Sequence, residues 1–168
     1  HELVPDGVEA QWVSDRGDLV EACLWGTGLA QVARRATALP EGAELTGEGV
    51  PGEVGPVGPY LHEPDDAVIR SGLVGGLAAH MGGHLLDPRI AYLTTDEPVT
   101  HPLLRSFRIV EELPYREKQL KAALLDRQRA DVVPEKLVAR LRLKGSRSAV
   151  VVMTRVDDQG TCFLVEPS

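Results

Sequence analysis

The sequence is poor in aromatic residues and cysteine, and it has no long apolar run. Aromatic residues make up 4% of the 168 residues, so the 43% that are hydrophobic must build a core mainly of Val, Leu and Ala. Cys23 and Cys162 are single and lack the spacing of zinc ligands, so we expect both to be free thiols. No segment reaches the length that a bilayer requires, and no secretory leader pattern is present. These absences predict a soluble, cytoplasmic protein that has no membrane partner.

Charge is distributed unevenly along the chain, whose formal net charge is −7. Residues 1–114 contain 7 Lys/Arg against 18 Asp/Glu, a net charge of −11. Residues 115–147 contain 10 Lys/Arg against 4 Asp/Glu, a net charge of +6. The last 21 residues contain 1 Lys/Arg against 3 Asp/Glu, a net charge of −2. Such an asymmetry concerns partners and not fold, and a basic segment on an acidic protein indicates an anionic partner.

Five cations of the basic segment are the candidate RNA-binding residues: Lys136, Arg140, Arg142, Lys144 and Arg147. A helix is predicted from Pro134 to Leu143, with Leu137 and Leu141 on its core side. No aromatic residue accompanies the cations, so contact with a phosphate backbone is favoured over stacking on bases. The alternative is an ordinary solvated helix face, in which Lys144 only compensates the helix dipole.

The pattern of the N-terminal third predicts strands. Apolar residues alternate from Val8 to Trp12, a second apolar run covers 19–25, and turn residues at 15–18 join them. Residues 35–39 predict a third strand. Residues 40–60 contain six Gly and four Pro, which predict a connector without regular structure and a candidate hinge. Three strands without helices of their own look like the end of a larger sheet.

The rest of the chain predicts a small α+β layer. A single helix is expected from Pro64 to the glycines at 82–83, because Ile69, Leu73 and Leu77 recur every fourth residue. The further predicted elements are a strand at 89–94, a strand at 107–113, helices at 115–126 and 134–143, and strands at 149–156 and 161–165 joined by a hairpin loop at 157–160.

Two short motifs resemble known sites but lack their context. His80 and His84 have the spacing of two metal ligands on one helix face, yet Met-Gly-Gly between them should end the helix before His84. Gly26 and Gly28 follow an apolar run, as in nucleotide-binding turns, but the third glycine and a following amphipathic helix are missing. The sequence therefore predicts no catalytic residue, no cofactor-binding residue and no metal site.

Four stretches, in this order, resemble a bacterial protein family: HEPDDAVIRSGLV, LLDPRIAYLTTD, FRIVEELPYREKQLKAAL and DVVPEKLVARLRLKGSRSAVVVMTRV. The family consists of class I S-adenosylmethionine-dependent methyltransferases that carry a THUMP-like domain, and the chain is similar to their C-terminal half. The resemblance implies an α+β fold that starts with the truncated end of a methyltransferase sheet. Residues 1–50 would be the last strands of that sheet, residues 51–98 a ferredoxin-like connecting unit, and residues 99–168 the THUMP-like domain.

The resemblance also implies different roles for this chain and for the rest of its parent protein. The cofactor loop of such enzymes lies near the start of the sheet, so this chain would be non-catalytic and bind no cofactor, whereas its parent would use S-adenosylmethionine. The chain would contribute RNA binding and contact its own upstream methyltransferase domain. The alternative is a structural or dimerisation module, with a parent that methylates a protein or small molecule. One departure is that only DRQRAD separates the helix ending near Leu125 from the VVPE motif, where family members carry a further basic strand.

Overall fold

The chain has a sheet-rich α+β fold, as predicted. The computed structural model describes residues 4–114, 150–156 and 159–168. They divide between two compact units, His1–Ser106 and Phe107–Ser168. The elements in chain order are β1 (Glu9–Asp15), β2 (Asp18–Trp25), β3 (Arg34–Leu39), β4 (Ala43–Gly47), β5 (Tyr60–Pro64), α1 (Asp66–Ser71), α2 (Val74–His80), β6 (His84–Asp87), β7 (Ile90–Thr95), β8 (Leu104–Pro114), β9 (Val150–Val156) and β10 (Gln159–Pro167).

The first unit opens with a four-stranded sheet of strand order β2-β1-β3-β4. The predicted hairpin is confirmed, because β1 and β2 pair antiparallel around Arg16 and Gly17. Both turn residues have positive φ, 53° and 95°, which glycine adopts at little cost. The predicted third strand, β3, pairs parallel to β1 and places Ala36 beside Trp12.

The prediction of an irregular connector over residues 40–60 was wrong for its first part. Residues 43–47 form β4, which pairs antiparallel with β3. Ala43 and Leu45 are half-buried and alternate with the exposed Glu44 and Thr46, a period of two that suits an edge strand. The strand therefore forms because its alternate side chains reach the core, although glycines flank it.

The prediction of one helix from Pro64 was also wrong. Pro64 ends β5, and α1 begins at Asp66, after Asp65 has capped it by accepting a 2.8 Å hydrogen bond from the amide of Ala67. Gly72 then adopts a left-handed φ of 75° and ends α1, because this conformation closes the last turn. A separate helix, α2, follows after Leu73.

Glycines at every third position allow residues 52–58 of the connector to pack closely against the rest of the first unit. Gly52, Gly55 and Gly58 each face part of the fold so closely that a Cβ atom would collide with a neighbour. The amide of Gly55 donates to the carbonyl of Leu85 at 3.1 Å, and the amide of Leu85 donates to the carbonyl of Glu53 at 2.8 Å. An extended polyproline-type chain has three residues per turn, so glycines spaced by three lie on the same side of it. That side faces the first unit.

The core of the first unit lies between the four-stranded sheet, the two helices and β7. Its fully buried members include Ala36, Val68, Leu77, Leu93 and Leu103. Strand β7 pairs antiparallel with both β5 and β6, in the order β6-β7-β5. This core draws on residues from all three units that the family resemblance implies, 1–50, 51–98 and 99–168, and that division remains a prediction.

The second unit contains an antiparallel arrangement in which β10 lies between β8 and β9. The predicted hairpin of the last two strands is confirmed, since Val156 pairs with Gln159. Five consecutive residues of β10, Thr161 to Val165, are buried, so both faces of this strand are covered. The two predicted helices at 115–126 and 134–143 lie outside the described residues.

Candidate functional site

The predicted RNA-binding residues lie in the part of the chain that the structure does not describe. Residues 115–149 contain all of them: Lys136, Arg140, Arg142, Lys144 and Arg147. The described strands define where this segment starts and ends. Both β8, which ends at Pro114, and β9, which begins at Val150, run antiparallel to β10 and hence parallel to each other. The phosphate-contact hypothesis for these cations therefore stays a prediction.

One polar cleft in the first unit is acidic. Its volume is about 570 Å³, and its lining includes Asp18, Glu41, Glu63, Asp65 and Asp66. Arg105 is paired with Glu63 at 3.2 Å, so these two charges offset each other and the other acids outnumber the remaining cation, Arg16. Residues 1–106 contain 6 Lys/Arg against 16 Asp/Glu, a net charge of −10. A surface with this excess of negative charge repels phosphate groups.

The histidine pair at the end of α2 is split, as predicted. The helix ends at His80, Gly82 follows with a φ of 68°, and His84 begins β6. One ring nitrogen of His84, Nε2, lies 2.6 Å from the carbonyl oxygen of Pro56. His80 instead stacks edge-on against His101, with ring centroids 6.3 Å apart. Within residues 4–114, 150–156 and 159–168, no group of three His, Cys, Asp or Glu side chains could hold a metal ion.

The glycine turn after β2 closes on its own backbone. The amides of Leu29 and Ala30 both donate to the carbonyl of Gly26, at 3.0 and 3.2 Å, and Gly28 has a φ of 95°. These amides are therefore not directed at a ligand, and the turn leads into β3 without a helix. This turn consequently does not fit the phosphate-binding or cofactor-binding arrangement of a nucleotide site.

A buried ion pair lies on the outer face of the four-stranded sheet. Glu9, only 3% exposed, accepts a 2.6 Å hydrogen bond from Nε of Arg35 and further bonds from the amides of Gln31 and Val32. The hydrogen bond from Arg35 lowers the pKa of Glu9 most, followed by the bond from Gln31. Arg35 also reaches Glu44 at 2.7 Å. This set of contacts fixes the loop before β3 to β1.

Replacing Glu9 with glutamine is expected to reduce the free energy of unfolding by about 2 kcal/mol at pH 7, because three donors lose a charged acceptor. The lowered pKa means that this stabilisation is present above the unfolded-state pKa and is lost as the pH falls through the folded-state value. Urea unfolding at pH 7 and pH 4 would measure both effects. The exposed Glu48→Gln is the control, and equal loss in the two variants would contradict the structural assignment.

Both cysteines are free, in agreement with the sequence prediction. Cys162 is buried, and burial raises the pKa of its thiol. The pKa of Cys23 is raised mainly by its hydrogen bond with Glu21 and next by burial. A raised pKa keeps a thiol protonated and a poor nucleophile. Neither cysteine is therefore suited to nucleophilic catalysis.

Among the described residues, no helix is both apolar enough and long enough to cross a membrane.

The chain is similar to a described domain family and to bacterial proteins named methyltransferases. Residues 104–167 match the family model described as THUMP domain-like. Over 177 aligned residues the chain is 40% identical to an uncharacterized S-adenosylmethionine-dependent methyltransferase of Mycobacterium tuberculosis H37Rv, and equally so to that of strain CDC 1551 / Oshkosh. The alignments cover 95% of this chain and 49% of each relative. The chain thus spans about half the length of the curated relatives it matches.

A solved structure shows the same fold. It is the crystal structure of a "putative methyltransferase" from Porphyromonas gingivalis W83, with a TM-score of 0.79 and 17% sequence identity, covering 96% of this chain and 46% of that chain. At this identity the likeness concerns the fold alone. The resemblance found in the sequence is confirmed: the chain carries a THUMP-like match and is homologous to S-adenosylmethionine-dependent methyltransferases.

Proposed function

We propose that the chain is the substrate-binding part of an S-adenosylmethionine-dependent methyltransferase that acts on RNA. In this proposal, residues 1–50 close the methyltransferase sheet, residues 51–98 form a ferredoxin-like connecting unit, and residues 99–168 form the THUMP-like domain. The relatives named methyltransferases and the THUMP-like match support this proposal. RNA is the proposed substrate because THUMP-like domains are associated with RNA.

The segregation of charge is the observation that carries the RNA assignment. The net charge of +6 over residues 115–147 falls inside the THUMP-like match at 104–167, whereas residues 1–106 have a net charge of −10. An RNA backbone is attracted to the first of these regions and repelled by the second. Among the five candidates, Lys136 and Arg140 are placed one helical turn apart on the solvent side of the predicted helix.

The methyl donor is assigned to the half of the relatives that this chain does not span. S-adenosylmethionine supplies an electrophilic methyl group when bound, but the described residues do not fit it. The Gly26–Gly28 turn, the nearest resemblance to a cofactor loop, uses its amides internally. The role proposed for this chain is therefore to hold RNA, and no step of methyl transfer is assigned to its residues.

RNA binding by the full-length natural protein tests this proposal. Changing Lys136→Ala together with Arg140→Ala should lower the slope of log affinity against log salt by roughly 1.4 to 1.8 units, because two phosphate contacts no longer release counterions. Arg16→Ala with Arg70→Ala removes two exposed cations of the first unit and serves as the matched control. An unchanged slope in the first variant, with the fold intact, would show that the basic segment is only a solvated face.

A second candidate function is that of an association module, with a parent that methylates a protein or a small molecule. Exposed apolar residues on β2 favour an association surface in the first unit. In that case the full-length protein would transfer methyl groups without retaining RNA, and both double variants would leave its activity unchanged.

A further inference from the structure

One histidine of the first unit lies in a set of hydrogen bonds that the proposed function does not use. His62, in β5, is fully buried. Its Nε2 lies 2.8 Å from the hydroxyl of Thr95, the last residue of β7, and its Nδ1 lies 2.9 Å from the hydroxyl of Ser106 in β8. We call these three side chains the His62 cluster. Both nitrogens of a ring that water does not reach therefore face a hydroxyl oxygen.

The hydroxyl hydrogens of the His62 cluster are directed away from the ring. The hydroxyl of Thr95 donates to the carbonyl of Glu97 at 2.6 Å, and that of Ser106 donates to the carbonyl of Val99 at 2.8 Å. A hydroxyl has one hydrogen, so in this arrangement each oxygen accepts from the ring. A neutral imidazole has one N–H donor and one nitrogen lone pair. Its unprotonated nitrogen would face an oxygen lone pair, so a neutral ring requires one hydroxyl to turn away from its carbonyl.

The surroundings of His62 favour the neutral ring. Burial lowers its pKa, because a buried charge loses its hydration. The charged side chains and the other histidine nearest to it along β5, β7, β8 and the segment between β7 and β8 are Glu63, Asp96, Glu97, His101, Arg105 and Arg108. Glu63 projects from the opposite face of β5, pairs with Arg105 at 3.2 Å and hydrogen-bonds to Tyr92. Asp96 and Glu97 are exposed, and the arginines and a protonated His101 would repel an imidazolium.

Two features indicate which hydroxyl turns to the ring. The bond from Thr95 to Glu97 is the shorter of the two hydroxyl–carbonyl bonds. Thr95 is also β-branched, which restricts its χ1 rotamer, whereas the side chain of Ser106 is unbranched. Thr95 therefore keeps its bond to Glu97, and the hydroxyl of Ser106 turns. A Thr95 hydroxyl that still accepts from the ring selects the tautomer with the hydrogen on Nε2.

We infer that His62 is a proton-dependent switch for the segment 96–99. In the neutral state, Nε2–H donates to Thr95 and Nδ1 accepts the hydroxyl hydrogen of Ser106, so the carbonyl of Val99 loses its side-chain donor. When a proton from solvent binds Nδ1, this nitrogen becomes a donor, and the hydroxyl of Ser106 turns back to Val99. The chain continues from this segment to residues 101–105, which line the acidic cleft. The switch thus sets how one wall of the cleft is held, and it does not depend on RNA being the substrate.

Nitrogen NMR of the full-length natural protein, isotope-labelled at histidine, tests the inferred tautomer. The shifts of protonated and unprotonated ring nitrogens are well separated, and the signals of His62 are identified by their loss in His62→Gln. At pH 7.5 we expect a protonated Nε2 and an unprotonated Nδ1. A protonated Nδ1 with an unprotonated Nε2, or protonation of both nitrogens, would overturn the inference.

Thr95→Val tests the switch itself without acid. Nε2 then has no hydroxyl partner, so the hydrogen should move to Nδ1 and donate to Ser106, whose hydroxyl returns to Val99. The carbonyl carbon signal of Val99 should shift downfield at pH 7.5, as it does on hydrogen bonding. Thr94→Val is the matched control, because Thr94 is also fully buried but its hydroxyl donates to the carbonyl of Tyr60 at 2.8 Å. An unchanged tautomer in Thr95→Val, or the same change in Thr94→Val, would contradict the inference.

Ser106→Ala gives a second test that does not require Thr95→Val to fold. In the inferred neutral state the hydroxyl of Ser106 does not donate to Val99. Its removal should therefore leave both the Nε2–H tautomer and the carbonyl signal of Val99 unchanged at pH 7.5. An upfield shift of the Val99 carbonyl in this variant would show that the wild type holds this bond at neutral pH, and the switch would be refuted.

Discussion

Replacing Gly75 with alanine is expected to destabilise the first unit by about 3 kcal/mol, whereas the same change at the neighbouring Gly76 should stabilise it by about 0.5 to 1 kcal/mol. A Cβ atom on Gly75 would lie 2.5 Å from the amide nitrogen of Gly52, 2.7 Å from the carbonyl carbon of Pro51, and closer still to the carbonyl oxygen of Val50. These are backbone atoms, so relief requires the docked connector to move. A Cβ atom on Gly76 would have no neighbour within 4 Å.

The two variants share one helix and one chemical change, so helix propensity alone predicts the same sign for both. Alanine favours the helix over glycine in each case. Urea unfolding followed by tryptophan fluorescence measures the first unit specifically, because both tryptophans, Trp12 and Trp25, lie within it. If Gly75→Ala were as stable as Gly76→Ala, the connector would not pack against α2 as described.

Acidification from pH 7.5 to 5.5 is expected to destabilise the first unit, and His62 supplies one source of this effect. The side chain of His62 is fully buried, and burial lowers its pKa. A lowered pKa means that the unfolded chain binds the proton more readily than the folded one. The free energy of unfolding is therefore constant above the unfolded-state pKa near 6.5. Below that pH it falls by up to about 1.4 kcal/mol per pH unit for one histidine.

The hydrogen bonds of His62 favour its charged form less than burial disfavours it. Its Nε2 lies 2.8 Å from the hydroxyl of Thr95, and its Nδ1 lies 2.9 Å from the hydroxyl of Ser106. These hydroxyls also donate to the carbonyls of Glu97 and Val99, at 2.6 and 2.8 Å. An imidazolium would satisfy all four bonds, and the one added charge-assisted bond is worth about 1.5 to 3 kcal/mol. Burying a full charge costs several kcal/mol, so the neutral form is favoured.

Tryptophan-detected urea unfolding across this pH range measures the effect, and His62→Gln tests its source. The variant should be less stable at pH 7.5 but show a shallower pH dependence than the wild type. His101 contributes to the remaining slope, because burial and then the charge of His80 lower its pKa. All five histidines lie within residues 1–106, so amide exchange of β10 in the second unit is the internal control. If the free energy of unfolding of His62→Gln depended on pH as steeply as that of the wild type, His62 would not be a source of the effect.

Several elements could be predicted because their signals lie in neighbouring residues. The hairpin of β1 and β2 was predicted from alternation and the turn at Gly17, and the end of α2 from the glycines before His84. Strands β3, β7, β8, β9 and β10 were predicted within a few residues. The charge asymmetry was likewise a property of the sequence, and it located the candidate RNA-binding residues. These residues lie outside the described part of the chain, so their role remains a prediction.

Strand pairing and the surroundings of each side chain could not be predicted and became evident from the folded chain. The sequence pattern did not reveal that β3 runs parallel to β1, that β4 forms among glycines, or that Gly72 splits the predicted helix. Each depends on contacts between residues far apart in the chain, whereas periodicity reports only neighbours. The apolar run at 19–25 was correctly predicted as a strand, but seven of the eight residues of β2 are exposed. Apolar character is a property of the residue, but burial depends on what the fold packs against it.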